Sequence, residues 1–164
     1  MVAKPKIVTP ALSASFAAPF AVIGISTNRG RVVRIQYLPL STPEKKPNDE
    51  LSLEVITQIK KYIENPKYVF TLPVDVSGTD YRLRVWHELG KIKPGQIKTY
   101  GEIAANLDSS PRAVGMACGD NKLPLLIPCH RVVAKHGVGG FMHSRGSFAL
   151  GVKSWLLKHE STIE

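Results

Sequence analysis

Apolar positions follow two patterns along this chain, strand-like in the first half and helical after Thr79. Phe20-Ala21-Val22-Ile23-Gly24-Ile25-Ser26-Thr27 reads as a strand. Asn28-Arg29-Gly30 supplies a turn, and Arg31-Val32-Val33-Arg34-Ile35-Gln36-Tyr37-Leu38 returns as the hairpin partner. Residues 39–49, with three prolines and several charges, form a loop. From Leu51 to Ile63, apolar side chains at Leu51, Leu53, Val55, Ile56, Ile59 and Ile63 keep near-helical spacing until Asn65-Pro66 stops it. Val69-Phe70-Thr71-Leu72 reads as a further strand.

The second half is helical. Tyr81 to Leu89 offers Leu83, Val85, Trp86 and Leu89 to a core, with Gly90 as cap and Pro94-Gly95 as a turn. Thr99 is placed to cap a helix from Tyr100 to Leu107, with Glu102 three residues later completing a capping-box pattern. Asp108-Ser109-Ser110 breaks that helix, and Pro111 suits the first position of another that ends near Gly119. Two short helices around a tight polar break describe a helix-turn-helix, a pair that serves as often for packing as for reading a DNA groove. Small residues at Ala113 and Gly115 allow close approach of a partner.

The 164 residues, 43% hydrophobic and 21% charged, suit one core or two small lobes sharing an interface. The organisation expected is an extension over 1–18, an α/β support lobe over 19–78, and a helical domain over 79–164. Net charge is +9. Residues 81–164 carry twelve basic against six acidic side chains, residues 1–80 ten against seven. Such an excess favours a polyanion through phosphate neutralisation. Cys118 and Cys129 are the two cysteines; a single bridge is possible, but a reduced, cytoplasmic setting is simpler. No metal-ligand spacing is visible, and prolines interrupt the apolar residues before Ile25, so neither a signal peptide nor a membrane span is expected.

The densest chemistry lies in Leu125-Leu126-Ile127-Pro128-Cys129-His130-Arg131-Val132-Val133. A thiol attacks as its thiolate, which a nearby positive charge or an imidazole base can supply. Neighbours on a strand point to opposite faces. Cys129 and His130 can therefore cooperate only if a short buried strand ends in a corner at Pro128. Taken alone, the pair also fits a structural cysteine on a core strand.

Pro128-Cys129-His130-Arg131-Val132 resembles the active-site signature of the O6-alkylguanine-DNA alkyltransferases (methylated-DNA–protein-cysteine methyltransferases). The resemblance extends through Tyr100-Gly101-Glu102-Ile103-Ala104, Ser110-Pro111-Arg112-Ala113-Val114-Gly115, Asn121 and Pro124. Downstream it takes in Gly139-Gly140-Phe141 and Val152 through Glu160. It covers roughly residues 81–160 in ordered motifs and residues 19–80 only in general pattern. It implies a small N-terminal α/β (ribonuclease-H-like) lobe followed by a C-terminal helix-turn-helix (winged-helix-like) DNA-binding and active-site domain. The activity implied is a single-turnover, self-inactivating repair of DNA, in which the O6-alkyl group of guanine is transferred irreversibly to Cys129.

The resemblance also distributes roles. His130 takes the thiol proton, through a water if the geometry requires it, and Glu160 orients the imidazole. Asn121 fixes the turn before the active-site strand by bonding backbone groups. Arg112 enters the base stack in place of an extruded nucleotide, while Tyr100 presses on the adjoining backbone; Ala113, Gly115 and Arg131 join the DNA contact. O6 lies on the pairing edge of guanine, so extrusion is required, at a cost of a few kcal/mol. Read without the resemblance, Arg112 is equally a solvated arginine, Tyr100 a buried tyrosine of the helix pair, Glu160 a surface acid and Asn121 a helix terminator. Lys153 matches a lysine of the family's last helix but fits a solvated helix face better.

Pro124, Val132 and Val133 are expected as pocket walls, with Gly140 in a loop over the base and Phe141 stacking on it. The family commonly has tyrosine then serine in this loop. Here Phe141 is followed by Met142, and His143-Ser144-Arg145-Gly146-Ser147 lengthens it. Ser144 or Ser147 is then left as a substitute donor to O6. The partner implied is double-stranded DNA containing O6-alkylguanine, bound by a monomer, with no cofactor, metal or membrane. Two other readings stand beside this one. A non-catalytic alkylated-base sensor of the same fold is disfavoured by Cys129, since those relatives lack the nucleophile. An unrelated thiol hydrolase would need neither Arg112 nor a basic helix pair.

Overall fold

The structure, a computed structural model, describes residues 9–161. Three antiparallel strands open it: β1 (Ala14–Ala17), β2 (Val22–Asn28) and β3 (Arg31–Leu38), in the order β1-β2-β3. Hairpin register pairs Ile25 with Ile35, and a bulge follows at Ser26/Thr27. β2 is the central strand, and Val22, Ile23 and Ile25 are fully buried, which is why its sequence is apolar on both faces. Strand β1 falls inside the stretch expected to be an extension; it pairs with β2 from Ala14↔Ile25 to Ala17↔Val22. Residues 1–8 of that stretch lie outside the described residues.

Helix α1 (Glu50–Glu64) starts where the Asp49 side chain accepts from Ser52 N at 2.7 Å. It lays Val55, Ile56, Ile59 and Tyr62 into the core beside the sheet. The strand expected at Val69–Leu72 does not form. Gln58 takes Thr71 N on its side-chain oxygen at 2.9 Å, so a side chain there does the work of a ladder. Val69 is 74% exposed, and pairing with β3 comes only at Val74, bridged to Val32. The outer edge of β3 is closed by Pro73 O, which accepts from Val32 N at 2.8 Å, and by Lys122 O, which accepts from Ile35 N at 2.9 Å. That second bond ties the sheet to the residue beside Asn121.

Helices α2 (Asp80–Leu89), α3 (Tyr100–Asn106) and α4 (Pro111–Gly119) begin at Thr79, Thr99 and Ser110, each accepting a backbone N–H three residues on. The capping box at α3 is only half made, because the Glu102 carboxylate lies 3.8 Å from Lys98 Nζ. The Trp86 indole donates to Ala117 O at 2.9 Å and locks α2 to α4. Tyr81 Oη is 2.7 Å from Ser109 Oγ and holds the α3–α4 break. Two-residue strands β4 (Lys98–Thr99) and β5 (Val132–Val133) pair in parallel and join the start of α3 to the residues after Cys129. Helix α5 (Ser147–Ser161) closes the molecule. One core of buried apolar residues runs without a break from Phe16 through Trp86 to Leu156.

The active-site strand expected before Pro128 is instead a set of turns. Leu125 takes a positive φ of 75°, and Ile127 N bonds back to Leu123 O at 2.9 Å. Cys129–Arg131 then forms one turn of 3-10 helix. With three residues per turn, consecutive side chains fan out around the axis instead of alternating. The corner needed to let Cys129 and His130 work together is therefore a helical turn. Among the described residues, no helix is long and apolar enough to cross a membrane.

Candidate active site

Cys129 lines a cavity of about 500 Å³ and is 3% exposed. Tyr100, Arg112 and Gly115 line one side, and the loop Gly139 to Arg145 the other. On the next positions of the 3-10 turn, His130 and Arg131 are buried and do not line that cavity. His130 Nε2 is hydrogen-bonded to Glu160 Oε1. Arg131 Nε donates to both Glu160 oxygens at 3.1 and 2.9 Å, and Tyr62 Oη donates to Oε1 at 3.2 Å. Arg131 Nη1 donates to Ile92 O at 2.6 Å.

Protonation in this group follows from burial and counter-charge. Glu160 resists the upward push of burial because the His130 and Arg131 bonds hold it down, to about 2. His130 is lowered, as burial together with the Arg131 and Lys153 cations outweighs Glu160. Glu160 is therefore a carboxylate and His130 a neutral imidazole whose Nε2–H donates to it. Its Nδ1 is then a lone-pair acceptor, buried and without a hydrogen-bond partner among protein atoms. This is the arrangement of a base waiting for a proton. Burial also pushes the Cys129 thiol up, to about 11, against the opposing pull of the Asn121 amide and the Lys153 ammonium. At rest the sulfur keeps its proton, and no imidazolium stands beside it.

The cation near the sulfur is Lys153, expected on a solvated face and found fully buried. Its Nζ donates to Val132 O at 2.6 Å and Gly140 O at 2.9 Å and sits 5.7 Å from the centre of the Tyr100 ring. Burial lowers it to about 8. Asn121 bonds backbone groups, with Nδ2 donating to Ile127 O at 2.9 Å and Oδ1 accepting from Leu123 N at 2.9 Å. Tyr100 Oη donates to Gly140 O at 3.3 Å. A Cβ on Gly139, whose φ is +78°, would lie 3.0 Å from that ring, so loop and tyrosine meet only at a glycine.

Several expected positions move. Arg131 is only 8% exposed and spent on Glu160 and Ile92, so its fork cannot also reach a phosphate. Pro124 and Val132 are buried in the core and do not line the cavity, since the turns before Cys129 face them inward. Phe141 lines the cavity wall, but its ring is 5% exposed and packs 5.8 Å from Tyr37, leaving no free face for a base. Of the two candidate serines, Ser144 lines the cavity and Ser147 does not. Arg112 is exposed at the start of α4, Ala113 half-buried beside it, and Gly115 on the cavity wall.

Three features escaped sequence reasoning. Cys118, a free thiol like Cys129, shares the cavity with it. His143 Nε2 bonds Asp120 at 2.8 Å, and Asp120 also pairs with Arg82 at 2.7 Å, which pins the lengthened loop to the end of α4. Tyr62, from the supporting half, reaches Glu160. Only the loop carried a signal, its extra length beside Gly119.

A buried thiol lining a cavity beside two capped helices, followed in sequence by a carboxylate-held imidazole, has the makings of a cysteine-based transfer site on a helix-turn-helix. Residues 80–162 match the family model of the 6-O-methylguanine DNA methyltransferase DNA-binding domain. The chain belongs to the methylated-DNA–protein-cysteine methyltransferase family. It is 34% identical over 129 residues to the Sulfolobus acidocaldarius protein of that name, covering 79% of this chain and 81% of that one. To the Metallosphaera sedula protein it is 31% identical over 150 residues, covering 91% and 92%. Among solved structures, the O6-methylguanine DNA methyltransferase from Methanococcus jannaschii aligns with TM-score 0.67 at 30% identity, covering 92% of this chain and 94% of that one. Mycobacterium tuberculosis OGT in complex with DNA aligns at 0.75 and 26%, covering 90% and 91%.

Proposed function

We propose that this chain repairs alkylated duplex DNA by moving the alkyl group from O6 of guanine to Sγ of Cys129, once per molecule. The observation that carries the reading is the buried Cys129 set beside a neutral His130 whose free Nδ1 is fixed by the Glu160 carboxylate. The thiol proton passes to Nδ1, the sulfur attacks the alkyl carbon, and the C–O6 bond breaks. Guanine O6 leaves with the bonding pair and a proton is returned to the base. The thioether has no leaving path, so the protein is consumed. Methylated-DNA–protein-cysteine methyltransferase is the name of its relatives, and it describes this transfer.

An intact duplex hides O6, so the lesion is turned out into the cavity beside Cys129. Arg112, exposed at the start of α4, fills the gap in the stack, and Ala113 and Gly115 allow the helix to approach. Tyr100 flanks the extruded nucleotide and Ser144 is the hydroxyl within the cavity available to O6. Residues 19–78 act as a ribonuclease-H-like support lobe, and residues 79–164 as a winged-helix-like domain that binds DNA and reacts. The protein works as a cytoplasmic monomer.

Incubation with a duplex oligonucleotide bearing O6-methylguanine is expected to add one methyl mass to the peptide containing Cys129. Cys129→Ala should remove the transfer and spare DNA binding. Transfer that survives in that variant, or a methyl found on another residue, contradicts the assignment.

A further inference from the structure

The two halves of the chain meet at the Glu160 carboxylate. Its Oε1 takes three donors: His130 Nε2, Arg131 Nε at 3.1 Å and Tyr62 Oη at 3.2 Å. Oε2 takes Arg131 Nε at 2.9 Å. His130 and Arg131 belong to the 3-10 turn that begins at Cys129. Tyr62 comes from the last turn of α1, 98 residues before Glu160, in the half of the chain whose sequence shows no chemistry. Its ring is fully buried, 5.7 Å from Phe70 and edge-on to His159 at 5.2 Å. His159 Nε2 donates to Tyr62 O at 2.8 Å. One residue of α1 thus holds two consecutive residues of α5, His159 by its carbonyl and Glu160 by its hydroxyl.

Phenylalanine would fill the same space, and only the hydroxyl reaches the carboxylate. Burial, with the Glu160 charge beside it, pushes the phenol far up, so it keeps its proton and donates. A hydrogen bond in a buried site is electrostatically stronger than in water, and donors that share one oxygen compete for its charge. What the phenol draws from Oε1 is not available to a positive imidazole on the same atom. His130 is neutral at rest and becomes positive when it takes a proton, so it is the group that registers this competition.

We propose that Tyr62 is a positioning residue for alkyl transfer: from the supporting half of the chain it shares the oxygen that holds His130, and so tempers how strongly the imidazole binds a proton. No bond to Tyr62 forms or breaks, and its hydroxyl proton stays in place throughout. Helix α1 thereby bears on the base as well as on the core. This inference rests on the reading of Cys129 as the alkyl acceptor and His130 as its base.

Tyr62→Phe removes one oxygen and keeps the ring. With one donor fewer, Glu160 holds a positive imidazole better, so His130 should titrate about half a pH unit higher, a gain of about threefold in proton affinity. The ring 15N chemical shifts of His130, followed through an acid titration of the unreacted protein without DNA, read this directly. The acid limb of single-turnover transfer from O6-methylguanine duplex should move up by the same amount, with DNA affinity unchanged. The other ionisable groups around the pair stay in place: Tyr37 of β3, Cys129 and Arg131 of the 3-10 turn, and Lys153 and His159 of α5. Phe70→Leu is the control, since it loosens the packing on the same ring and leaves the hydroxyl. It should lower the unfolding midpoint without moving either curve. An unmoved His130 titration, an unmoved acid limb, or an equal shift in Phe70→Leu overturns the proposal. Peptide mass analysis separates the two failures. Methyl on Cys129 with unmoved curves sinks only the role of Tyr62, and methyl elsewhere sinks the reading beneath it.

Discussion

His130 and Glu160 are bonded through Nε2 and Oε1 in a space closed to solvent, thirty residues apart in sequence. The His130 and Arg131 bonds hold the acid ionised, while burial with the Arg131 and Lys153 cations keeps the base neutral against the pull of Glu160 and leaves its far nitrogen free. Removing the acid alone leaves the Arg131 guanidinium buried without its counter-charge. Glu160→Gln should therefore cost about 3–5 kcal/mol of stability, the usual penalty for breaking one side of a buried pair. Denaturant unfolding at neutral pH measures it, and a loss near zero would mean that the pair is solvated.

Acid should unfold the protein in two stages. Native His130 is lowered from 6.5, so below that pH the unfolded chain takes up a proton that the native state refuses. Its contribution is present above pH 6.5 and is lost as pH falls. Glu160 is held to about 2 from 4.5, so its contribution is present above 4.5 and lost from there toward 2. Urea midpoints taken across this range should fall first below 6.5 and again below 4.5. His130→Gln should abolish the upper stage; a wild-type midpoint that is flat through it argues for a charged imidazole.

Lys153→Met should slow alkyl transfer, since it deletes the cation opposing the burial of Cys129. It also strips donors from Val132 O and Gly140 O. Gly140 O keeps the Tyr100 hydroxyl, but Val132 O loses its Lys153 donor at a cost of about 1–3 kcal/mol, so the unfolding midpoint should fall with the rate. A variant as fast as the parent would remove Lys153 from any role at the sulfur.

Arg112 is exposed on the cavity rim and should act only where a duplex must be opened. Arg112→Ala is expected to depress repair of O6-methylguanine duplex more than reaction with free O6-benzylguanine, which needs no extrusion. Equal losses with the two substrates would refute the wedge.

Gly119 lets the His143 ring rest on the end of α4, where an added Cβ would lie 2.3 Å from ring atoms. Gly119→Ala should push His143 off Asp120 and release the 142–145 wall. His143→Ala should do the same by deletion. Both should raise the concentration of free base needed for half-maximal rate. Stability should change by less than about 1 kcal/mol, because the broken pair is exposed. Unaltered saturation curves in both would show that the latch does not shape the cavity.

The hairpin, α1 and the three capped helices were legible in the sequence because each is specified locally. Alternating or helical apolar spacing, and Asp, Thr or Ser accepting a backbone N–H three residues on, need no distant partner. Cys129 and His130 were legible as candidate chemistry, but the turn that carries them was not. Pro128 promised a corner, and the chain makes it as a 3-10 turn that also carries Arg131 inward.

Val69–Leu72 misled because β propensity says nothing about whether a partner strand is available, and Gln58 met the backbone's need first. Lys153 misled for the opposite reason. A lysine on a helix reads as solvated until two carbonyls and a tyrosine ring, 13 to 53 residues away, enclose it. By itself, then, the sequence determined which local elements form and which groups are candidates to react, through motifs and short-range rules. The tertiary structure alone decided which are protonated, which are buried and which line the cavity with Cys129. Desolvation and charge coupling depend on neighbours in space, and those neighbours come from β3, α1, α4 and α5 at once.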